Sequence, residues 1–171
     1  MISFVVPAYN EERLLGRTLA AIHTAARELG RPYELIVADD ESTDRTAAVA
    51  CESGARVVAV RFRQIARVRN AGAAAAAGDV LIFVDADTLV PFGTLRATAE
   101  ALDRGAVGGG ASVFIDGKLP PWVRLLMPPF RFAFRTGRLA AGCYLFCRRN
   151  DFLAVGGFDE QLYAAEELAL S

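Results

Sequence analysis

The sequence has few residues of the kinds that build disulfide frameworks and zinc sites. Its 171 residues include three cysteines and one histidine. An odd number of cysteines in a chain of this length does not indicate a disulfide framework. Cys143 and Cys147 lie four apart in an apolar run, and His23 lies far from them in a helical pattern, so no zinc site is predicted. We expect the thiols to be buried instead.

The sequence also lacks a strong charge of either sign and a long apolar segment. Its formal net charge is −1 at pH 7, whereas a protein whose main partner is nucleic acid needs a basic face. No stretch reaches the roughly 18 uninterrupted apolar residues that a membrane-spanning helix requires. The chain opens with a strand pattern and not with a signal peptide. We therefore expect a single globular domain over residues 1–171, located in the cytoplasm and not bound to nucleic acid.

Strand and helix patterns alternate through the first hundred residues. Short β-branched and aromatic runs predict four strands, and apolar residues three and four apart predict the helices between them. Asn10 is a candidate N-cap of the first helix and Gly30 its end, while Ser42 or Thr43 begins the second helix and Gly54 ends it. The predicted strands are 2–6, 33–38, 56–60 and 80–84, and the later helices are 66–77 and 94–102.

This order of elements predicts an α/β protein with a mostly parallel sheet and helices on both of its faces. Ligands bind such sheets at the carboxyl ends of the strands. Each polar residue at those ends is also typical of a solvated loop, but together they predict one ligand site. The residues that follow the first, second and fourth strands are Tyr9, Asn10 and Glu11, then Asp39 and Asp40, then Asp85 and Asp87.

Two acids directly follow the fourth strand, which itself carries no charge. Asp85 and Asp87 are two residues apart, so on an extended chain both carboxylates can face one point. Hard oxygen ligands of this kind suit Mg²⁺ or Mn²⁺ bound jointly with substrate phosphates. The alternative is a turn or a helix cap, where aspartate is also common.

Five segments stand out in order along the chain: VVPAYNEE at 5–12, ADDESTD at 38–44, RNAG at 69–72 followed by GD at 78–79, DAD at 85–87, and GGFDE at 156–160 followed by EE at 166–167. In this order and at these spacings they resemble the motifs of family 2 glycosyltransferases. The second motif is usually V-D-D-G-S-T-D in that family, so Glu41 stands where a glycine is usual.

The resemblance implies a GT-A fold, a three-layer αβα sandwich similar to nucleotide-diphospho-sugar transferases. Residues 1–104 would form the nucleotide-binding half and residues 105–171 the acceptor-side half.

The resemblance also implies a role for each matching residue. Pro7, Ala8, Tyr9 and Glu11 would line the base and ribose pocket, Asp39 with Asp40 beside it would accept a hydrogen bond from the base, and Arg69 would face the donor phosphates. Asp85, with Ala86 beside it, would touch the ribose or the donor sugar, Asp87 would hold Mn²⁺ or Mg²⁺, and Glu167 or Glu166 would be the catalytic base.

The reaction implied by the resemblance is an inverting transfer from a UDP- or GDP-sugar to an acceptor hydroxyl of a glycan or lipid-linked acceptor, as in the synthesis of cell-envelope polysaccharides. A divalent cation can stabilise the charge that develops on the leaving diphosphate, and a carboxylate can deprotonate the acceptor. Such an enzyme would work in the cytoplasm or at the inner face of the cell membrane.

Two departures from the family pattern concern the predicted base and the end of the chain. Glu167 replaces the usual aspartate of an E-D pair, which leaves open whether it or Glu166 is the base. The chain ends at Ser171, whereas members of the family continue with a further helix. We expect the chain to be part of a longer enzyme, and the acceptor-side half to be incomplete.

Several alternatives stay open. The proline-broken apolar segment 119–134, which is edged by arginines, can lie at a membrane interface or pack over the sheet. Gly108, Gly109 and Gly110 lack the strand–loop–helix context of a phosphate loop, so they indicate close backbone packing or a bulge. A truncated or non-catalytic nucleotide-binding module is the alternative function. A sugar nucleotidyltransferase or a dinucleotide-dependent oxidoreductase would need a glycine-rich loop after the first strand, which is absent.

Overall fold

A central sheet of six strands organises the computed structural model, which describes residues 1–111 and 143–161. The strand order is β3-β2-β1-β4-β6-β5. The strands are β1 Ile2–Ala8, β2 Tyr33–Asp39, β3 Arg56–Ala59, β4 Val80–Val84, β5 Gly108–Gly110 and β6 Tyr144–Arg148, and the helices are α1 Leu15–Leu29, α2 Thr46–Glu52, α3 Ile65–Ala75, α4 Phe92–Asp103 and α5 Arg149–Ala154.

The first four strands are parallel to one another, as the alternation of strands and helices predicts. Every residue of β1 is buried, which is the expected state of a central parallel strand covered on both faces. The strand runs two residues further than predicted, because Pro7 and Ala8 continue the register opposite Ala38 and Asp39 of β2. Strand β4 has the predicted bounds.

Two apolar cores, one on each face of the sheet, confirm the predicted three layers. The side chains of α1, α2 and α4 pack on one face, where Leu19, Ile22 and Leu95 are fully buried. The side chains of α3 and α5 pack on the other. There the rings of Phe83, Phe152 and Phe158 form a cluster with centroid separations of 4.9 to 5.5 Å.

The later half of the chain completes the sheet with two antiparallel strands that the sequence patterns do not predict. Strand β6 pairs with β4, and β5 pairs with β6. Strand β5 consists of three glycines, which have little strand propensity. A Cβ atom on Gly109 would lie 2.9 Å from the Phe146 ring, and one on Gly108 would lie 2.9 Å from the Phe146 carbonyl oxygen. The predicted close backbone packing at these glycines is confirmed.

The predicted starts of α1 and α2 are wrong, whereas α3 and α4 begin within two residues of the predicted positions and Gly30 ends α1 as predicted. Helix α1 begins only at Leu15, because Asn10 has a left-handed φ of 54° and bonds another loop. Helix α2 begins at Thr46 and not at Ser42 or Thr43. The Thr46 amide N–H donates to Asp44 Oδ1 at 2.9 Å. Gly30 ends α1 with a φ of 70° and donates its N–H to carbonyls of the last turn.

The thiols do not all follow the prediction of burial. Cys51 is exposed, whereas Cys143 and Cys147 are partly buried. Burial raises the pKa of the Cys147 thiol to about 12. Within residues 1–111 and 143–161, no helix has the length and hydropathy needed to cross a membrane.

Candidate functional site

Three adjacent parallel strands, β2, β1 and β4, end at the same edge of the sheet. The residues that follow them are the ones from which the sequence predicts a ligand site. The chain runs outward from β1 to β2 and β3 on one side and places β4 on the other. This reversal of strand order is a topological switch point, where open α/β sheets bind their ligands. We call the loops at this edge the carboxyl-edge loops: residues 9–14, 40–45, 60–64 and 85–91.

Asp39 lies at the end of β2, and one oxygen of its carboxylate accepts no hydrogen bond from the described residues. The residue is 7% exposed, and its backbone carbonyl accepts the Val60 N–H at 2.9 Å. Its side-chain Oδ1 is buried and has no hydrogen-bond partner among the residues that the structure describes. A buried carboxylate oxygen without a donor is costly. A ligand that supplies an N–H or O–H at this point would remove that cost.

Asp40, the next residue, uses its carboxylate within the protein. Its Oδ1 accepts the Phe62 N–H and its Oδ2 accepts the Arg63 N–H, both at 2.7 Å. The residue is 5% exposed. The adjacent aspartates therefore differ in their contacts, since Asp40 holds the loop after β3 in place and Asp39 has one oxygen without a hydrogen-bond partner among the described residues.

An arginine covers the ring of Tyr9, which follows β1. The Arg63 guanidinium carbon lies 3.9 Å from the Tyr9 ring centroid, and Tyr9 remains 44% exposed. A side-chain hydrogen bond with Tyr9, followed by the contact with Glu41, raises the pKa of Arg63. Glu41 lies within 3.5 Å of both Arg61 and Arg63. Tyr9, Arg63 and Glu41 thus form one exposed cluster beside Asp39.

Glu41 has a φ of 60°, in the left-handed region. Glycine is usual at this position of the motif because it adopts that backbone without a Cβ penalty. Glu41 adopts this backbone conformation although it carries a Cβ atom, and it places a carboxylate within 3.5 Å of Arg61 and Arg63.

The loops after β1 and β2 are joined by hydrogen bonds between side chains and backbone. Asn10 Oδ1 accepts the Thr43 N–H at 2.8 Å, and the Asn10 N–H donates to Ser42 Oγ at 3.0 Å. The Glu11 N–H donates to Thr46 Oγ1 at 2.7 Å, and the Glu12 N–H donates to Asp44 Oδ2 at 3.1 Å. The S-T-D part of the second motif therefore fixes the loop that carries Tyr9 and Glu11.

The loop after β4 separates its two acids by environment. Asp85 accepts a hydrogen bond from Arg69 Nη2 at 2.8 Å, and its backbone N–H donates to the Cys143 carbonyl at 3.1 Å. Asp87 is exposed and lies 3.5 Å from Thr88 Oγ1. The methyl group of Ala86 between them belongs to the apolar core. Its carbonyl accepts the Thr18 hydroxyl at 2.8 Å, so α1 fixes the centre of the loop.

The acids of the carboxyl-edge loops act on one another electrostatically. Burial raises the pKa of Glu11, and the negative charges of Asp87, Asp44 and Asp85 raise it further. Burial, followed by the charge of Asp85, raises the pKa of the Cys143 thiol. Several carboxylates therefore share a region of negative potential, which favours a cation.

The carboxylates of the carboxyl-edge loops suit a divalent cation that is bound together with a phosphate ligand. Among the described residues, no group of three or more histidine, cysteine, aspartate or glutamate side chains is arranged to hold a metal ion alone. Asp87 offers an exposed carboxylate next to Asp85, and Mg²⁺ is commonly bound by one or two carboxylates plus substrate phosphates. Asp87 is thus suited to a shared site.

The remaining predicted residues divide between buried positions and positions outside the described part of the chain. Pro7 and Ala8 are buried in β1, and Arg69 is buried in α3 at 2% exposure. Glu166, Glu167 and the segment 119–134 lie outside the described residues. The roles predicted for all the site residues stay predictions.

Sequence patterns did not point to Arg63 or Thr18 as parts of the site. Arg63 lies in an irregular loop, where no periodicity signals a role, and its contact with Tyr9 joins residues 54 positions apart. Thr18 is a polar residue at 1% exposure in α1. A threonine on the apolar face of a predicted helix could have pointed to Thr18, because a buried hydroxyl needs a hydrogen-bond partner.

The chain is similar to known proteins in sequence and in fold. The family model described as glycosyl transferase family 2 matches residues 3–152. An undecaprenyl-phosphate 4-deoxy-4-formamido-L-arabinose transferase from Edwardsiella ictaluri is 35% identical over 116 residues, which cover 61% of this chain and 34% of that protein. The transferase of the same name from Pseudomonas aeruginosa is 39% identical over 99 residues, covering 53% of this chain and 29% of that protein. The chain thus spans about a third of the length of these relatives.

Solved structures show the same fold. A mannosyltransferase from Pyrobaculum calidifontis in complex with GDP-Man and Mn²⁺ has a TM-score of 0.75 at 22% identity, over 98% of this chain and 50% of that one. Glucosyl-3-phosphoglycerate synthase from Mycobacterium tuberculosis, in complex with Mn²⁺, UDP and glucosyl-3-phosphoglycerate, has a TM-score of 0.69 at 24% identity, over 99% of this chain and 63% of that one. The predicted GT-A fold is confirmed. With the family model matching residues 3–152, the chain belongs to glycosyl transferase family 2.

Proposed function

We propose that this chain is the donor-binding part of an inverting glycosyltransferase that moves a sugar from a nucleoside diphosphate sugar to an acceptor. The observation that carries the proposal is the set of carboxylates after β1, β2 and β4, in which Asp39 keeps a buried oxygen for a donor group and Asp87 is exposed. Family membership supports glycosyl transfer over nucleotidyl transfer or hydride transfer.

The base would bind at Asp39 and Tyr9. Both uracil and guanine carry a ring N–H that can donate to the free Oδ1 of Asp39. The exposed Tyr9 ring offers a stacking surface. Asp40 acts indirectly in this proposal, because both of its oxygens already bind the amides of Phe62 and Arg63.

The diphosphate and sugar would lie toward the loop after β4. Asp87 would hold Mn²⁺ or Mg²⁺ jointly with the donor phosphates, and Asp85 would touch the ribose or the donor sugar. When bound, the cation stabilises the negative charge that develops on the leaving diphosphate. Glu11 would line the ribose side of the pocket, where its raised pKa reflects burial and the nearby acids.

The acceptor is proposed from the relatives. Proteins named undecaprenyl-phosphate sugar transferases are 35 to 39% identical to this chain over 99 to 116 residues. A polyprenyl phosphate is therefore a candidate acceptor, and an enzyme that uses it would work in contact with the inner face of the cell membrane. A phosphate oxygen is already deprotonated at neutral pH, so it needs no general base. A hydroxyl acceptor needs one, which Glu167 or Glu166 would supply.

Calorimetric titration with UDP and GDP, with and without Mn²⁺, tests the donor site. We expect Mn²⁺-dependent binding of one nucleotide by the chain and its loss in Asp87→Ala. Asp103→Ala is the matched control, because Asp103 is an exposed acid whose partner is Arg31 at 2.6 Å on the protein surface. If a chain with a cooperative thermal transition bound neither nucleotide, the proposed donor site would be wrong.

The acceptor proposal has its own test. The chain, and a longer form extended past residue 171, would be supplied with the nucleotide that binds, as its sugar conjugate, and with a polyprenyl phosphate or a glycan. Transfer to the lipid phosphate that survives Glu166→Gln and Glu167→Gln would identify a phosphate acceptor. Loss of transfer by on the order of 10²-fold or more in one variant would identify that residue as the base for a hydroxyl acceptor.

A further inference from the structure

Arg69 is an arginine enclosed in the protein next to the proposed donor site. It lies on α3 with 2% of its surface exposed. Its Nη2 donates to Asp85 Oδ1 at 2.8 Å, and the Asp85 side chain is 33% exposed, against 3% for that of Arg69. The ion pair therefore has one end inside the protein and the other at the loop that carries Asp87.

The turn formed by the fifth motif covers Arg69. The Arg69 guanidinium carbon lies 5.4 Å from the Phe158 ring centroid. Asn70 fixes the backbone of Phe158, since its Nδ2 donates to the Phe158 carbonyl at 3.0 Å and its Oδ1 accepts the Phe158 N–H at 2.9 Å. A Cβ atom on Gly157 would lie 2.8 Å from Asn70 Oδ1, so the turn approaches α3 as closely as a glycine permits.

Phe158 is also held from the sheet side. Its ring contacts that of Phe83 edge to face, with a centroid separation of 4.9 Å. Phe83 belongs to β4, two residues before Asp85. The R-N pair of α3 thus connects the loop after β4, through Arg69, with the turn at residues 156–160, through Asn70.

We infer that Arg69 positions Asp85 for the donor and does not itself contact the donor phosphates. An enclosed guanidinium cannot reach a phosphate in an open cleft without leaving its site, whereas its planar, rigid donor group can fix the orientation of a carboxylate. This inference rests on the proposed function, because it assigns Asp85 to the donor. It differs from the role that the family resemblance implies for Arg69.

A double-mutant cycle on nucleotide binding tests it. Arg69→Gln, Asp85→Asn and the double variant would be titrated with the nucleotide that the unmodified chain binds in the presence of Mn²⁺. We expect each single change to weaken binding by about tenfold and the double variant to bind no more weakly than the weaker single variant. If Arg69 contacts the phosphates independently of Asp85, the two losses multiply to about a hundredfold, and that result overturns the inference.

Two further variants separate positioning from a general effect on folding. Arg148→Gln removes another arginine with structural contacts, whose Nη2 donates to the Leu102 carbonyl at 2.7 Å far from the proposed donor site. It should leave nucleotide affinity within about twofold. Arg69→Lys keeps the charge and replaces Arg69→Gln in the cycle if the latter does not fold. We expect Arg69→Lys to weaken nucleotide binding in the unmodified chain but to cause no further loss when Asp85 is already replaced by asparagine.

The outcomes distinguish the inference from the function on which it rests. No nucleotide binding by the folded, unmodified chain would refute the proposed function and the inference with it. Binding by the unmodified chain combined with multiplying losses would refute the inference alone. Equal losses in Arg148→Gln and Arg69→Gln would also refute it, because they would show an effect of stability and not of position.

Discussion

Replacing Asp40 by asparagine should destabilise the protein more than replacing its neighbour Asp39. The Asp40 carboxylate accepts two backbone N–H groups at 2.7 Å, from Phe62 and Arg63. Hydrogen bonds to a charged group contribute about 1.5–3 kcal/mol each. Asparagine keeps one acceptor and turns an NH₂ group toward the second N–H, so we expect Asp40→Asn to cost about 2–3 kcal/mol.

Thermal and urea unfolding measure this loss. For a chain of 171 residues, 1 kcal/mol corresponds to about 2–4 °C, so the transition of Asp40→Asn should fall by roughly 5–10 °C. Asp103→Asn serves as the control, because it breaks an exposed ion pair that contributes at most about 1 kcal/mol. Hydrogen exchange of the amides of Phe62 and Arg63 should become faster in Asp40→Asn alone. A loss of less than about 0.5 kcal/mol would show that these hydrogen bonds do not hold the loop.

Asp39→Asn is the informative partner of that variant. The buried Asp39 Oδ1 has no hydrogen-bond partner within the part of the chain that the structure describes, so removal of its charge should change the free energy of unfolding by less than about 1 kcal/mol or raise it. Nucleotide affinity should fall by about tenfold or more, since a hydrogen bond from the base to a charged acceptor is lost. Equal loss of stability in both variants would contradict the division of roles between the two aspartates.

Two further predictions concern packing and pH. Gly72→Ala in α3 should cost about 1–3 kcal/mol in urea unfolding, because its Cβ would lie 2.4 Å from Val5 Cγ1. Gly93→Ala in α4 meets no atom within 4 Å and should stabilise by about 0.5–1 kcal/mol, so a loss in both would refute the packing argument. Burial, with the charge of Asp87 and other acids, raises the pKa of Glu11, so the folded state binds this proton more tightly than the unfolded state does. The stability contributed by this group should be present below its unfolded pKa near 4.5 and should be lost as the pH rises through the raised value. Between pH 4.5 and neutrality, the free energy of unfolding of Glu11→Gln should therefore decline less with rising pH than that of the unmodified chain. An unchanged pH profile would argue against a raised pKa for Glu11.

Strands β1 to β4 and most helix ends were predictable because their signals are local. The bounds of β4 follow from an uncharged run that ends in an acid, and Gly30 ends α1 because it adopts a left-handed φ of 70°. The starts of α1 and α2 were not predictable. Asn10 bonds Thr43, which is 33 residues away, and this contact takes the place of the helix cap that its position suggests. Strands β5 and β6 were missed because the three glycines of β5 form a strand only through their pairing with β6.

The amino-acid sequence by itself determined the alternation of strands and helices, and with it the edge of the sheet where Tyr9, Asp39 and Asp85 meet. These features follow from periodicity and from the residues that end each strand, which act over a few positions. Only the tertiary structure decided which acid, among the described residues, keeps a buried oxygen without a hydrogen-bond partner and which arginine is enclosed. Asp39 and Asp40 are identical in type and adjacent in sequence, and they differ only because amides 22 and 23 residues beyond Asp40 fold back onto its carboxylate. The solvation and hydrogen bonding of a side chain depend on atoms that the fold brings together from distant positions, so no local pattern contains them.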